Sequence, residues 1–262
     1  MKSPVPVSLC LYAGVASAGN VLWSGLFNES YTVADFDKWS WSNPVPPYQW
    51  YIHGSGSTSS YLALDASYKN PKSTLEEAKG LRTTLDETSS WNGQTMMRTE
   101  LIPQVADQNS AEEELGSGKK FYHFSLGVKE DGFPVEKVEH QVAFFESHFT
   151  ELKYGGTSDN AANLTWYANS QEQWSTALTA GTWYNFAYGI DFDAGSVALY
   201  ASEGGDDLVK VVDAVEGVSA QTNGQDWHVG VLRLDNGESG LGEEEWFWSG
   251  VFVEGGEISL KV

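Results

Sequence analysis

The sequence contains one cysteine, Cys10, and only 15 lysines and arginines against 36 aspartates and glutamates, for a formal net charge of −21. A lone cysteine excludes an internal disulfide framework and any thiolate zinc centre. The shortage of positive charge excludes classes of partner, because so acidic a field repels phosphates and uronates, although salt screens it beyond about 10 Å. Nucleic acid, anionic membranes and heavily acidic polysaccharides are therefore not expected as partners, whereas a neutral glycan meets no such repulsion. Acidity that serves solubility alone accounts for the charge equally well. Also missing are an apolar run long enough to cross a bilayer, a helical apolar period sustained beyond about three turns and any 20–50-residue repeat, roughly the range of solenoid units. There is no Gly-x-Ser-x-Gly, no phosphate-loop pattern and no His-Glu-x-x-His. His140 and His148 have no third ligand in view, so no metal site and no cofactor are expected; a calcium ion held by loop aspartates stays compatible with the sequence.

What the chain does have is 11 Trp, 12 Tyr, 12 Phe and 27 Gly in 262 residues. Short β-rich runs at 121–128, 141–154, 182–192, 196–202, 227–235 and 246–253 are separated by Gly, Asn, Asp and Ser clusters. This is the pattern of an all-β sandwich of antiparallel strands. Asp191-Phe192-Asp193-Ala194-Gly195 reads as a hairpin turn, 73–79 as a short helix, and the acidic run Glu243-Glu244-Glu245 as solvated loop. Most of the aromatics belong to a wide sandwich core; the surplus suits a carbohydrate cleft, where a flat ring stacks on a sugar face. Lys2, the apolar 5–15 stretch and Ala16-Ser17-Ala18 have the layout of a signal peptide over 1–18. That reading makes the protein secreted and extracellular, with one domain over 19–262, and expects a monomer. Asn28-Glu29-Ser30 and Asn163-Leu164-Thr165 are glycosylation sequons.

Two segments carry the candidate chemistry. In an extended Gln94-Thr95-Met96-Met97-Arg98-Thr99-Glu100-Leu101, Gln94, Met96, Arg98 and Glu100 share one face. An Arg beside a Glu suits a polar cleft floor, the Arg holding a hydroxyl or tuning the Glu and the Glu transferring a proton. A surface ion pair is the plainer reading of that pattern. In the 139–149 segment, Glu139 and Gln141 share one face, while His140, Glu146 and His148 share the other unless a bulge intervenes. Val142 and Phe144 mark the second face as core, which makes Glu139 the cleft carboxylate; periodicity does not exclude Glu146. His228 is a candidate binder or proton-network partner, though a lone strand histidine is more often structural. Trp50 and Tyr51 lie in a polar-aromatic run suited to sugar stacking, or to an edge strand packed on the sandwich.

Trp39-Ser40-Trp41-Ser42-Asn43, the 48–54 run, Met97-Arg98-Thr99-Glu100-Leu101, and Glu139-His140-Gln141 with 144–149 occur in an order that resembles the fungal glycoside hydrolase family 131. The resemblance covers the chain from Leu22 to the end. It implies a jelly roll of two antiparallel sheets with a concave substrate cleft, related in shape to alginate-type lyases. It also implies inverting hydrolysis of β-1,3-, β-1,6- and β-1,4-linked glucans. On it, Glu100 and Glu139 are the catalytic carboxylates, with Glu100 the better base because Arg98 favours its ionisation. Arg98 and His228 match the family's pattern as substrate-binding residues, and Gln141, Gln94, Trp50 and Tyr51 are expected to join them from the reading of the strands above. The competing readings are a polysaccharide lyase on the same scaffold, with Arg98, Gln141 and His228 around a uronate, and a non-catalytic carbohydrate-binding protein.

Overall fold

The computed structural model describes residues 19–38, 45–105 and 109–262. The 1–18 segment and the 39–43 motif lie outside it, as do the side chains of Gln49, Trp50 and Tyr51. Strands take 45% of the described residues and helices 7%. In chain order the strands are β1 (Asn20–Ser24), β2 (Tyr48–Ile52), β3 (Leu62–Asp65), β4 (Gly80–Leu85), β5 (Met97–Pro103), β6 (Lys119–Gly127), β7 (His140–Phe145) and β8 (Thr150–Tyr154). There follow β9 (Asn163–Ala168), β10 (Gln171–Ala177), β11 (Trp183–Asp191), β12 (Ser196–Glu203), β13 (Val209–Glu216), β14 (Trp227–Arg233) and β15 (Glu244–Gly255). They form two antiparallel sheets, a jelly-roll sandwich: β13-β12-β11-β6-β15-β4-β3 with β1 beside β15, and β10-β9-β8-β7-β14-β5-β2.

Alternation along each strand explains the layering. Tyr122, Phe124 and Leu126 of β6, Tyr184, Phe186 and Tyr188 of β11, and Trp246 and Trp248 of β15 point inward from one sheet. Leu101 of β5, Val142 and Phe145 of β7, and Trp227, Val229 and Val231 of β14 meet them from the other. Tyr122 lies edge-on to Trp227 at 4.9 Å and to Phe145 at 5.1 Å, a geometry that adds about 0.5–1.5 kcal/mol per pair beyond burial itself. Trp166, Trp227, Trp246 and Trp248 are fully enclosed, so much of the aromatic surplus is core. The turn from β11 to β12 forms where expected, with Gly195 in the left-handed region and the Asp191 carboxylate accepting from the Ala194 amide.

Three expectations are corrected. The 141–154 run is two strands, because the chain turns back after Phe145: the His148 amide donates to the Phe145 carbonyl, and His148 itself takes positive φ. The 73–79 segment is not helical. Its polar groups are captured by distant partners instead: Thr74 and Ala78 amides donate to the Val262 and Phe27 carbonyls, and the Glu77 carboxylate accepts from Ser249 and Gly250. The acidic run is not all solvated, since Glu244 is fully buried in β15, 2.8 Å from His140 and 3.0 Å from Arg233.

Candidate active site

The outer face of the seven-stranded sheet, away from the core, carries the polar chemistry. Pleating turns Thr99 and Leu101 inward and Arg98 and Glu100 outward, and the pair is closed tightly. Arg98 donates Nε–H to Glu100 Oε1 and Nη2–H to Oε2, both at 2.8 Å. This fork-on-carboxylate match is the strong form of the ion pair. Glu100 has no exposed surface. Gln94 reaches the edge of the cluster, its Oε1 3.5 Å from Arg98 Nη1.

Next to Glu100 stands His228. Its strand comes close because Gly230 lies opposite Glu100 in the ladder; a Cβ at Gly230 would meet the Thr99 carbonyl oxygen at 2.2 Å and the Glu100 Cα at 2.6 Å. The pairing of β14 with β7 shifts between His228 and Val231, and Ala143 on β7 takes positive φ. That bulge rotates the rest of β7, so that Phe144 faces outward beside His228 (rings stacked at 4.4 Å) and Phe145 faces the core. Glu146, one residue further, therefore emerges on the cleft face. His228 uses both ring nitrogens: Nδ1 is 2.6 Å from Glu100 Oε2 and Nε2 is 3.0 Å from Glu146 Oε2. Glu146 keeps 66% of its side-chain surface exposed. His148 also stacks on Phe144, at 5.2 Å, and pairs with Glu151 at 2.9 Å.

Electrostatics follow from these contacts. Burial would push the Glu100 carboxyl up, but His228 and Arg98 outweigh it and hold it below the usual carboxylate range. Burial likewise opposes charge on His228, yet Glu100 and Glu146 hold its pKa above the ordinary imidazole value. The hydrogen bond from His228 lowers Glu146 against partial burial. One imidazole thus stands between two carboxylates, one enclosed and one open to water, and each contact favours the charged form of both partners.

Sequence reasoning brings Arg98, Glu100, His228 and Gln94 to one place, with Glu146 kept open as an alternative. Glu139 and Gln141 share the same sheet face but form a separate group. Gln141 lies opposite Leu232, which lies opposite Arg98, and β5 and β7 run the same way. Glu139 is thus two strands and four residues from Glu100, about 16 Å between α-carbons at ordinary sheet spacings. Its carboxylate leans away, toward β8, accepting from Lys153 Nζ at 3.0 Å and Gln141 Nε2 at 3.1 Å. Two neighbours were missed. Lys153 joins Glu139 to Glu151. Asp226 shares the strand parity of His228, accepts the Glu146 amide on its carbonyl and takes the Thr222 hydroxyl on its carboxyl, which burial raises above the usual range. The Asp226-Trp227-His228 alternation was the available signal for it.

Over residues 21–258 the chain matches the family described as Glycoside hydrolase 131 catalytic N-terminal domain. It is 52% identical to the crystal structure of the catalytic domain of the glycoside hydrolase family 131 protein from Coprinopsis cinerea, with a TM-score of 0.85 over 93% of this chain and 98% of that one. It is 46% identical to a GH131 β-glucanase catalytic domain from Podospora anserina, with a TM-score of 0.84 over 93% of this chain and 99% of that one. No curated protein matches it.

Proposed function

The chain belongs to the glycoside hydrolase 131 family, and from that premise we propose that it hydrolyses β-1,3-, β-1,6- and β-1,4-linked glucans with inversion, using Glu100, His228 and Glu146. The observation that carries the residue assignment is the single buried imidazole held on both nitrogens by carboxylates, one enclosed and one reaching solvent. The family membership supplies the glycosidic substrate; the 1–18 leader pattern supports export, where such a polymer is met.

Hydrolysis needs one group to protonate the leaving oxygen and another to take a proton from water. In the proposed cycle the proton starts on His228 and Glu146 starts ionised, the forms their mutual contact favours. A glucan laid over Glu146 removes water from it and raises its pKa, so the proton passes from Nε2 to Oε2 along their hydrogen bond. Glu146 then donates to the glycosidic oxygen. The neutral Nε2, with Glu100 accepting from Nδ1–H behind it, takes a proton from the attacking water. The count closes, because His228 is charged and Glu146 ionised again once the sugar leaves. Inversion requires donor and acceptor to flank the sugar about 6.5–9.5 Å apart, so the exposed Glu146 side chain swings off His228 while Arg98 and Glu100 stay fixed. Glu100 acts through His228 as a positioning residue, and the donor moves from Glu139, where the sequence expectation put it, to Glu146.

Glu146→Gln and His228→Asn should each lower kcat on laminarin by about 10²–10⁴, the usual worth of acid–base catalysis. Glu146→Gln should recover on aryl glucosides whose leaving group needs no proton, and the first product should carry the α-anomeric configuration by NMR. If Glu139→Gln loses as much kcat while Glu146→Gln keeps it, the donor is Glu139. A β-anomer as first product overturns inversion.

A further inference from the structure

Resting on the glucan-hydrolase reading above, we infer that Glu139, Lys153 and Tyr167 form a distal sugar-binding subsite, so that this enzyme grips long glucan chains at a point remote from the bond it cuts. Around Glu139 the structure has a hollow of about 200 Å³, lined by Glu139, Lys153, Asn160, Asn163, Thr165 and Tyr167 among others. It is built rather than incidental. Tyr167 and Thr165 of β9 share the outer face with Glu151 and Lys153 of β8, their ladder partners, and Lys153 lies opposite Gln141 of β7. The loop after β8 is folded over Glu139 by Gly155 and Gly156, both at positive φ. Their amides donate to the Ala161 and Glu136 carbonyls, and a Cβ at Gly155 would strike the Val138 carbonyl oxygen at 2.1 Å.

The chemistry of the hollow fits a neutral sugar. Lys153 pairs with Glu139 at 3.0 Å while both stay partly exposed, and with Glu151 at 3.6 Å, which leaves no excess of positive charge but unused donor hydrogens and acceptor lone pairs. The Tyr167 ring lies beside them, with Lys153 Nζ 5.4 Å from its centroid, and offers a flat apolar surface of the kind that packs on a sugar ring. An anion would face the Glu139 and Glu151 carboxylates flanking Lys153. The hollow and the Glu100–His228–Glu146 cluster lie on one face of the same sheet. Gln141 donates to Glu139 and stands level with Arg98 through Leu232, so a chain leaving the proposed catalytic cluster across β14, β7 and β8 would arrive at Tyr167 on β9.

The test is steady-state hydrolysis of β-glucan oligosaccharides graded in length, using the full chain made without glycosylation because Asn163 of the sequon lines the hollow. Tyr167→Ala, by removing the stacking surface, and Glu139→Gln, by weakening one hydrogen bond to a charged group, should each raise KM about tenfold on long chains. Both should leave kcat, and KM on the shortest cleaved oligosaccharide, within about twofold of the parent, an agreement that also reports correct folding. Equal KM changes at all lengths, or none, overturn the subsite. A fall of kcat at every length in Glu139→Gln also overturns it, by making Glu139 part of the proton chemistry. Failure of the glucan-hydrolase reading is seen separately, as absence of any hydrolysis by the parent enzyme.

Discussion

Arg98, Glu100, His228 and Glu146 carry two positive and two negative charges when His228 is protonated, and this balance is what allows three of the four to be buried. Burial of an unpaired charge costs several kcal/mol, and removing one member of a buried pair typically costs 3–5 kcal/mol, roughly. Arg98→Ala should therefore destabilise the protein by about 3–5 kcal/mol in urea unfolding, far more than loss of an exposed pair such as Lys137 with Glu238. The cluster also has a sign-defined pH dependence. Glu100 and Glu146 are lowered from 4.5, so their stabilisation is present above that value and is lost as pH falls through their folded values. His228 is raised from 6.5, so its contribution is complete below 6.5 and is lost as pH rises through its folded value. Stability from the cluster should peak between the ordinary carboxylate and imidazole values. In Glu100→Gln both limbs should flatten, measured as the urea midpoint against pH; an unchanged profile would mean that the cluster titrates as it does in the unfolded chain.

At the scale of elements, β15 does more than close the eight-stranded sheet. Its Glu244 crosses the sandwich to His140 of β7 and Arg233 of β14 and also accepts the Val135 amide. A carboxylate from one sheet thus fixes two strands of the other, the same two whose bulge presents His228 and Glu146. Glu244→Gln should cost about 3–5 kcal/mol by leaving Arg233 charged and enclosed. It should also lower activity at temperatures where the protein remains folded, because β7 and β14 lose their anchor. A stability change below about 0.5 kcal/mol in chemical denaturation would show the clamp to be idle. Nothing local announced this role. Strands with period-two alternation, such as β5, β11 and β14, were legible because that period depends on nearest neighbours alone. Glu244 sits in an acidic run that looks like loop, and its partners are about 100 and 11 residues away. The Ala143 bulge was equally silent: one residue of altered backbone reverses which side chains face the cleft, and an alanine gives no sign of it. Arg98 and Glu100 were readable as a pair because their spacing keeps them on one face, whereas the choice between Glu139 and Glu146 depended on a shift that only β14 reveals.

For the molecule as a whole, the excess of 36 acidic over 15 basic side chains acts on stability and on ligand choice through the same field. Self-repulsion of like charge opposes the compact state, and its reach shrinks from about 10 Å at 0.1 M salt to about 3 Å at 1 M. Potassium chloride added to a dilute buffer should therefore raise the melting temperature by a few degrees, whereas a protein held chiefly by exposed ion pairs would lose stability. The proposed binding face should behave differently because its charges are paired at short range: Arg98 with Glu100, His228 with Glu146, Lys153 with Glu139. A neutral glucan brings no charge for the distant field to act on. KM on laminarin should then change by less than about twofold across that salt range while the melting temperature climbs. An oligouronate of similar length should bind feebly in dilute buffer, since the whole surface repels it, and should produce no unsaturated product at any salt concentration. If KM for the glucan rises steeply with salt, the ligand is held by charge. If uronate chains are cleaved with gain of absorbance, the same sheet face carries out elimination, with Arg98 and His228 as its uronate clamp.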